Sequence, residues 1–239
     1  MIISHKYRYV FIELPQTGST SIARELMEHY DGQKVLFKHA LYHQFLAQAS
    51  EEEKQYFAFS SIRHPMDVVV STYFKIRTNH DNFNQNPVHH GKWVRRKLIP
   101  LKRRLQGKAI LEGDLDFPSY FKRFHRWPYS SWSIVDHRNL DAVMRFENLG
   151  EDFKGVLERL GIDPVRELPQ KNKTGKRDRD FASYYDTPEL KAQAIRVFAP
   201  YMKDWGYRFP EEWKASTEGS RTTYNFVNFF RRIYWRYLR

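Results

Sequence analysis

The sequence predicts an α/β protein built on a parallel sheet, and three observations carry that prediction. Strand-length runs rich in β-branched and aromatic residues stand early in the chain, at 7–14 (YRYVFIEL) and 56–62 (YFAFSSI). Each leads through a short loop into apolar residues three or four apart, the period of a helix buried on one side. Strand, loop, helix and strand within so few residues is the pattern of neighbouring parallel strands joined by crossover helices.

The elements follow in order. Residues 7–14 are the first buried strand. The small-residue loop 15–21 leads into a helix in which Ile22, Leu26, Met27 and Tyr30 share a face, ended by Asp31-Gly32. Residues 34–37 form a short strand and 40–49 a helix. After the buried strand 56–62, Arg63-His64-Pro65 turns the chain into the helix 66–76. Residues 79–113 break the pattern, opening with Asn, His and Pro and continuing into a basic block. Within the span 77–113 the chain reads as an insertion over the sheet, helical over 93–105. Regular structure returns with a helix at 117–124, a strand at 142–146 and an amphipathic helix at 152–160 closed by Gly161. A polar loop, 170–180, precedes the helix 188–198, and 221–239 reads as one last amphipathic helix in a tail that begins at 211.

Composition narrows the classes. Of 239 residues 41% are hydrophobic and 28% charged, so a sizeable core is available. There is no cysteine, which removes disulfide scaffolds, thiol nucleophiles and Cys-based zinc sites. No run approaches the roughly eighteen apolar residues of a spanning helix, and the first residues lack a secretory h-region. A cytoplasmic protein is the expectation, with contact at a membrane periphery left open. The net charge is +12. Residues 92–108 hold eight Lys/Arg and no acid, and 221–239 hold five Arg and no acid, so these thirteen positives leave about −1 (12 − 13) for the rest. Two basic segments are thus added to an electrically ordinary body, each suited to an anionic partner.

The loop Pro15, Gln16, Thr17, Gly18, Ser19, Thr20, Ser21 carries one glycine and four hydroxyls between a strand and a helix start. Free N–H groups and the positive dipole end of a helix hold a tetrahedral anion there, and the hydroxyls add donors. The plain alternative is an ordinary N-cap by one Ser or Thr. A nucleoside triphosphatase loop is excluded, because no second glycine and no Gly-Lys follow Gly18, and no G-x-G-x-x-G marks a dinucleotide site. A second anion site is read at the end of the strand 56–62, where Arg63 precedes Pro65 and Ser71 lies about two turns into the next helix. Both sites fall at the carboxyl edge of the sheet, where open α/β folds bind ligands.

Taken together, these motifs resemble the sulfotransferases. Leu14 to Ser21 is similar to their 5′-phosphosulfate loop, and Arg63-x-Pro-x-x-x-x-x-Ser71 to their 3′-phosphate motif. The likeness continues through 117–124, Ser131-Trp132, 145–149, 172–174 and 204–209. It spans about residues 7–210 and fits the carbohydrate-type branch, weakest over 77–113. It implies a three-layer fold of the P-loop nucleotide-kinase type, an α/β domain over 1–210, and 3′-phosphoadenosine 5′-phosphosulfate (PAPS) as sulfuryl donor, with PAP as product and no metal. The acceptor implied is a hydroxyl, or an amine, of a carbohydrate or similar molecule. Carried over by position, Pro15 to Ser21 cradle the 5′-phosphosulfate, Arg63 and Ser71 hold the 3′-phosphate, and Lys173 neighbours the nucleotide. One departure stands out: Gln16 replaces the family's Lys beside the bridging oxygen. An amide donates a hydrogen bond there without charge, so transfer is slowed or another cation, Lys38, substitutes.

His39 opens the helix after the 34–37 strand, where this branch places a catalytic base, and a neutral imidazole suits that role near neutral pH. His43, one turn on, is placed to support or replace it. His64 is expected to shape the turn or touch nucleotide, Glu147 to form an ion pair or serve the family's recurring position, His89-His90 to be solvated, and Glu51 to Glu53 to be a helix-start acidic run. The basic block at 92–108 suits an anionic acceptor or a solvated surface. In the tail, Phe226, Val227, Phe230, Ile233, Tyr234 and Tyr237 fall on one helical face, suited equally to an anionic membrane and to the protein's own body. Two rival readings stay open: a weakly active or non-catalytic PAPS-binding protein, motivated by Gln16, and a basic peripheral membrane or nucleic-acid-binding protein. Nucleic acid ranks last, since no recognised motif accompanies the charge.

Overall fold

A computed structural model describes residues 1–80, 101, 104–169 and 180–238. The chain divides into two compact units that interleave in sequence, one formed by 1–64 and 131–173, the other by 65–130 and 174–239.

The first unit holds a five-stranded sheet. Its strands are β1 (Ile2–Ser4), β2 (Tyr9–Ile12), β3 (Gln33–Lys34), β4 (Phe57–Ile62) and β5 (Ala142–Arg145), in the order β3-β1-β2-β4-β5. The parallel sheet read from the sequence is present as β2-β4-β5, in register Phe11 to Phe59 and Phe59 to Ala142. The edge departs from it. β1 runs antiparallel to β2, and β3 antiparallel to β1, so the sheet is mixed. The antiparallel edge comes from a tight connection, with Arg8 in the left-handed region, that leaves no room for a crossover helix. The strand expected at 34–37 lies at Gln33–Lys34, and β1 is an additional strand.

Alternation along the strands builds a core on each face. Ile2, Tyr9, Phe11, Phe59 and Met144 face the helices α1 (Ser19–His29) and, later in the chain, 149–159, burying Ile22, Leu26, Phe153, Val156 and Leu157. Ile3, Val10, Ile12 and Ala58 point the other way, onto Ala40 and onto Phe45 of the short helix α2 (Tyr42–Leu46). Helices on both faces make this unit three-layered. The helix expected over 40–49 is only the five residues of α2, and the acidic run beside it folds as a reciprocal cap: Glu53 Oε2 accepts the Ser50 N–H at 2.7 Å while Ser50 Oγ accepts the Glu53 N–H at 3.1 Å. Those bonds hold the Glu53 carboxyl below its ordinary range.

The second unit is helical. Its α3 (Pro65–Arg77) begins at the proline the sequence marks, α4 (Phe117–Phe124) follows, and α5 (Ser133–Asp136) and α6 (Leu149–Arg159) return the chain to the first unit. The last two helices, α7 (Pro188–Trp205) and α8 (Arg221–Ile233), belong to the second unit; a π-helical turn, Tyr234–Leu238, follows α8. The core is aromatic, with Phe117, Tyr120, Phe121, Tyr185 and Phe198 in edge-on and stacked contact. Residues 81–100, 102, 103 and 170–179 lie outside the described residues, and with them Lys173, His89-His90 and most of the basic insertion.

Candidate active site

The chain leaves β2 at Ile12 and enters α1 at Ser19. Between them Gln16 and Gly18 both adopt left-handed backbone, φ 66° and 76°. Residues of that kind set close together turn successive peptide N–H groups toward one concavity, a form that binds anions. At Gly18 a Cβ would stand 2.5 Å from Leu149 Cδ2 and 3.3 Å from Phe146 Cδ2, so glycine is required by packing as well as by φ. Gln16 has no such exemption and bears a conformational cost of about 1 kcal/mol.

The four hydroxyls divide. Thr17 Oγ1 and Ser19 Oγ, both buried, donate to the same carbonyl, Leu14 O, at 2.9 and 2.7 Å. Thr17 has one hydroxyl hydrogen, so Ser61 Oγ, 2.8 Å away at the end of β4, donates to it. These two side chains therefore fasten the loop to its own strand and to the next one, where the sequence reading had them as donors to a guest. Thr20 is exposed and Ser21 half-buried. No side chain caps α1, and the plain N-cap alternative is not what forms. The Gly18 carbonyl takes the Ser21 and Ile22 N–H groups at 3.0 and 3.3 Å. The N–H groups of Ser19 and Thr20, in the first turn, have no acceptor within the helix.

Among the described residues, Lys38 and Arg63 reach this loop. Lys38 Nζ donates to Thr20 Oγ1 at 3.2 Å. Arg63, just past β4, donates from Nη1 to the Gln16 carbonyl at 3.3 Å and lies 4.1 Å over the Phe146 ring. Because β2 and β4 are parallel, the loop after one and the arginine after the other emerge at the same sheet edge. His64 is buried, and its backbone N–H donates to Glu147 Oε1 at 2.7 Å, which fixes the turn out of β4. Ser71 lies on α3 in the second unit, buried, with no hydrogen-bond partner for its hydroxyl among the described residues.

His39 is also left-handed, φ 66°. Its Nδ1 is 2.9 Å from the Glu13 carbonyl. A carbonyl only accepts, so Nδ1 carries the proton of the neutral ring and Nε2 keeps the lone pair. Trp132 packs edge-on against the ring at 6.1 Å between centroids. His43 is held differently: Asp136 Oδ2 accepts from its Nδ1 at 2.8 Å and from its N–H at 3.2 Å, and His43 Nε2 is buried with no hydrogen-bond partner among the described residues. Sequence reasoning missed Asp136 and Ser61, since residues 93 and 44 positions from their partners carry no local signal.

Beneath the loop, Ser60 Oγ donates to the Ile12 carbonyl at 2.6 Å and so accepts from His137 Nε2 at 2.8 Å. Burial pushes the His137 pKa down to about 4, and the ring stays neutral as part of the floor. Elsewhere, Glu25, Glu28 and His29 come together on α1, but Arg166 forks onto Glu25 at 3.0 and 2.8 Å, making an ion-pair cluster.

A model of the family described as "Sulfotransferase family" matches residues 1–205. No curated protein matches. Among solved structures, mouse sulfotransferase SULT7A1 complexed with PAP is similar with a TM-score of 0.43 and 15% identity, covering 84% of this chain and 86% of that one. A likeness that low carries no argument about this chain, whereas the family match spans most of its length.

Proposed function

The chain belongs to the sulfotransferase family, and from that premise we propose that it moves the sulfuryl group of PAPS to a hydroxyl of a carbohydrate or similar acceptor. The observation that supports this reading is the open N-terminus of α1: a left-handed Gly18 in place of a side-chain cap, N–H groups of the first turn without an intrahelical acceptor, and Lys38 and Arg63 hydrogen-bonded to Thr20 and to Gln16 of the same loop. Such an end is built to hold a phosphate or sulfate oxygen. The donor supplies the sulfuryl group; the protein holds charge and handles a proton. In this reading the loop from Pro15 to Ser21 cradles the 5′ end through backbone N–H groups more than through Thr17 and Ser19 hydroxyls. Lys38 and Arg63 supply the charge that Gln16 does not. Lys173 serves the rest of the nucleotide. His39 takes the acceptor proton on Nε2, because its Nδ1–H is committed to the Glu13 carbonyl.

The test is thermal stabilisation by PAP. PAP raises the melting temperature, ATP does not reproduce the shift, and Arg63→Ala loses most of it. No shift with PAP in the unaltered protein overturns the donor assignment. Turnover of labelled PAPS across a panel of carbohydrate acceptors then tests the acceptor class. A second reading, a weakly active PAPS-binding protein, is favoured by Gln16 itself. Under it Gln16→Lys raises turnover severalfold, whereas with Lys38 and Arg63 already supplying the charge the substitution leaves turnover unchanged or lower.

A further inference from the structure

The sequence assigns the tail helix an apolar face and leaves open whether that face lies on the body. In the structure α8 docks by the opposite face. Tyr224 and Asn228 are 3% and 5% exposed, and Arg231 donates to the Pro128 carbonyl. Burial pushes the Arg231 guanidinium below its ordinary range. At the start of the helix Ser220 Oγ accepts the Thr223 N–H, and Arg221 pairs with Asp204 at 2.7 Å and reaches the Pro200 carbonyl. Gly219 brings the chain close enough to Pro200 that a Cβ would stand 2.9 Å from its ring. The helix is therefore held to the second unit at both ends, by polar and charged groups.

Its large apolar side chains point away. Phe226, Phe229 and Phe230 are 66%, 60% and 56% exposed, and Ile233 and, beyond the helix, Tyr237 are exposed as well. At about 100° per residue the first four fall within an arc of roughly 100°, centred opposite Tyr224, Asn228 and Arg231. Burying asparagine and half-burying arginine while exposing three phenylalanines is the reverse of what an isolated water-soluble domain does. The stripe is bordered by charge of one sign: Arg232 and Arg236 are exposed beside it, and residues 219–239 contain no acid.

We propose that α8 is a membrane-surface element: its outward stripe inserts into the headgroup region of an anionic bilayer, and Arg232 and Arg236 meet the lipid phosphates. The chemistry matches an interfacial helix, which couples an apolar face to flanking arginines and lies in the plane of the membrane. No helix among the described residues is long and apolar enough to cross a membrane, so the contact is with the surface. The proposal is independent of the sulfotransferase reading, since nothing in it uses the loop at 15–21.

The experiment is flotation of the full chain with vesicles of phosphatidylcholine alone or with about a third phosphatidylserine. The unaltered protein floats with the anionic vesicles, less so as salt rises. Phe226→Ser with Phe230→Ser, at exposed positions, keeps the melting temperature and weakens binding at least tenfold, and Arg232→Glu with Arg236→Glu weakens it further than charge removal alone. Equal flotation by the phenylalanine variant, or none by the unaltered protein, overturns the proposal. So does a dimer in light scattering that the phenylalanine variant turns into monomer without any vesicle binding, which would make a second copy the occupant of the stripe.

Discussion

Two helix starts in this molecule solve the same problem in opposite ways. At α7, Thr187 Oγ1 accepts the Leu190 N–H at 3.2 Å and Pro188 occupies the first turn, so the end is closed by its own sequence. At α1 four hydroxyl residues crowd the same position, yet none caps the helix. Thr17 and Ser19 turn back to Leu14, and a left-handed glycine takes the cap position. Capping residues are thus available at α1 and are used to brace the loop, which leaves the first-turn N–H groups without an acceptor within the helix. The abundance of Ser and Thr at a helix start thus does not say whether they cap it: at α1 they brace the loop.

That contrast is broken most severely at Gly18. Gly18→Val places a branched side chain against Leu149 and Phe146 in a backbone conformation that disfavours it, and costs about 3 kcal/mol or more of stability. The urea-unfolding midpoint falls accordingly, and PAP no longer raises the melting temperature of whatever remains folded. A midpoint like that of the unaltered protein would mean that the loop has another conformation.

The floor under the loop gives the next largest effect. The His137 pKa is about 4 in the folded chain against about 6.5 when unfolded, so the unfolded state binds the extra proton between those values. Its contribution is complete above about pH 6.5 and is lost as pH falls toward 4, amounting to roughly 3 kcal/mol at most. Unfolding free energies measured from pH 7 to 4.5 fall along that course, and His137→Gln flattens the dependence. An equally steep profile in the variant assigns the proton elsewhere.

At the closed end, Thr187→Ala removes a cap worth about 1 kcal/mol. The melting temperature drops by a few degrees while the additional shift produced by PAP stays the same, because that end holds nothing but itself. A changed PAP shift would dissolve the distinction between the two helices. The smallest effect is expected at Thr20, where alanine removes the exposed contact to Lys38 Nζ. Stability changes by less than about 0.5 kcal/mol. PAP affinity falls only a few fold, measured by calorimetry, if Lys38 is positioned through this hydroxyl.

Much of this was legible along the chain. The loop after the first strand, the proline that starts α3, the helix at 117–124 and the parallel strands are all local patterns of period, turn residue and cap, and a family motif lies across two of them. Three things were not. β1 is only Ile2–Ser4, too short for alternation to stand out, and its antiparallel pairing depends on a neighbour across a turn. The Asp136 carboxylate behind His43 and the Ser61 hydroxyl behind Thr17 arrive from distant segments. The third is which face of α8 is covered. Periodicity reveals that a helix has two faces, but an apolar stripe is compatible with a core, a partner or a lipid surface.

By itself, then, the sequence determined the parallel strands and the main helices of the α/β core, though not every boundary, which residues crowd the loop after β2, and that the tail is cationic and amphipathic, because each of these is set by residues within a few positions of one another. The tertiary structure alone decided that the loop hydroxyls brace and do not cap, that Arg63 and Lys38 converge on one loop, and that α8 presents phenylalanine outward. Those outcomes depend on which distant groups compete for each donor and each apolar face, and competition of that kind exists only once the chain has folded.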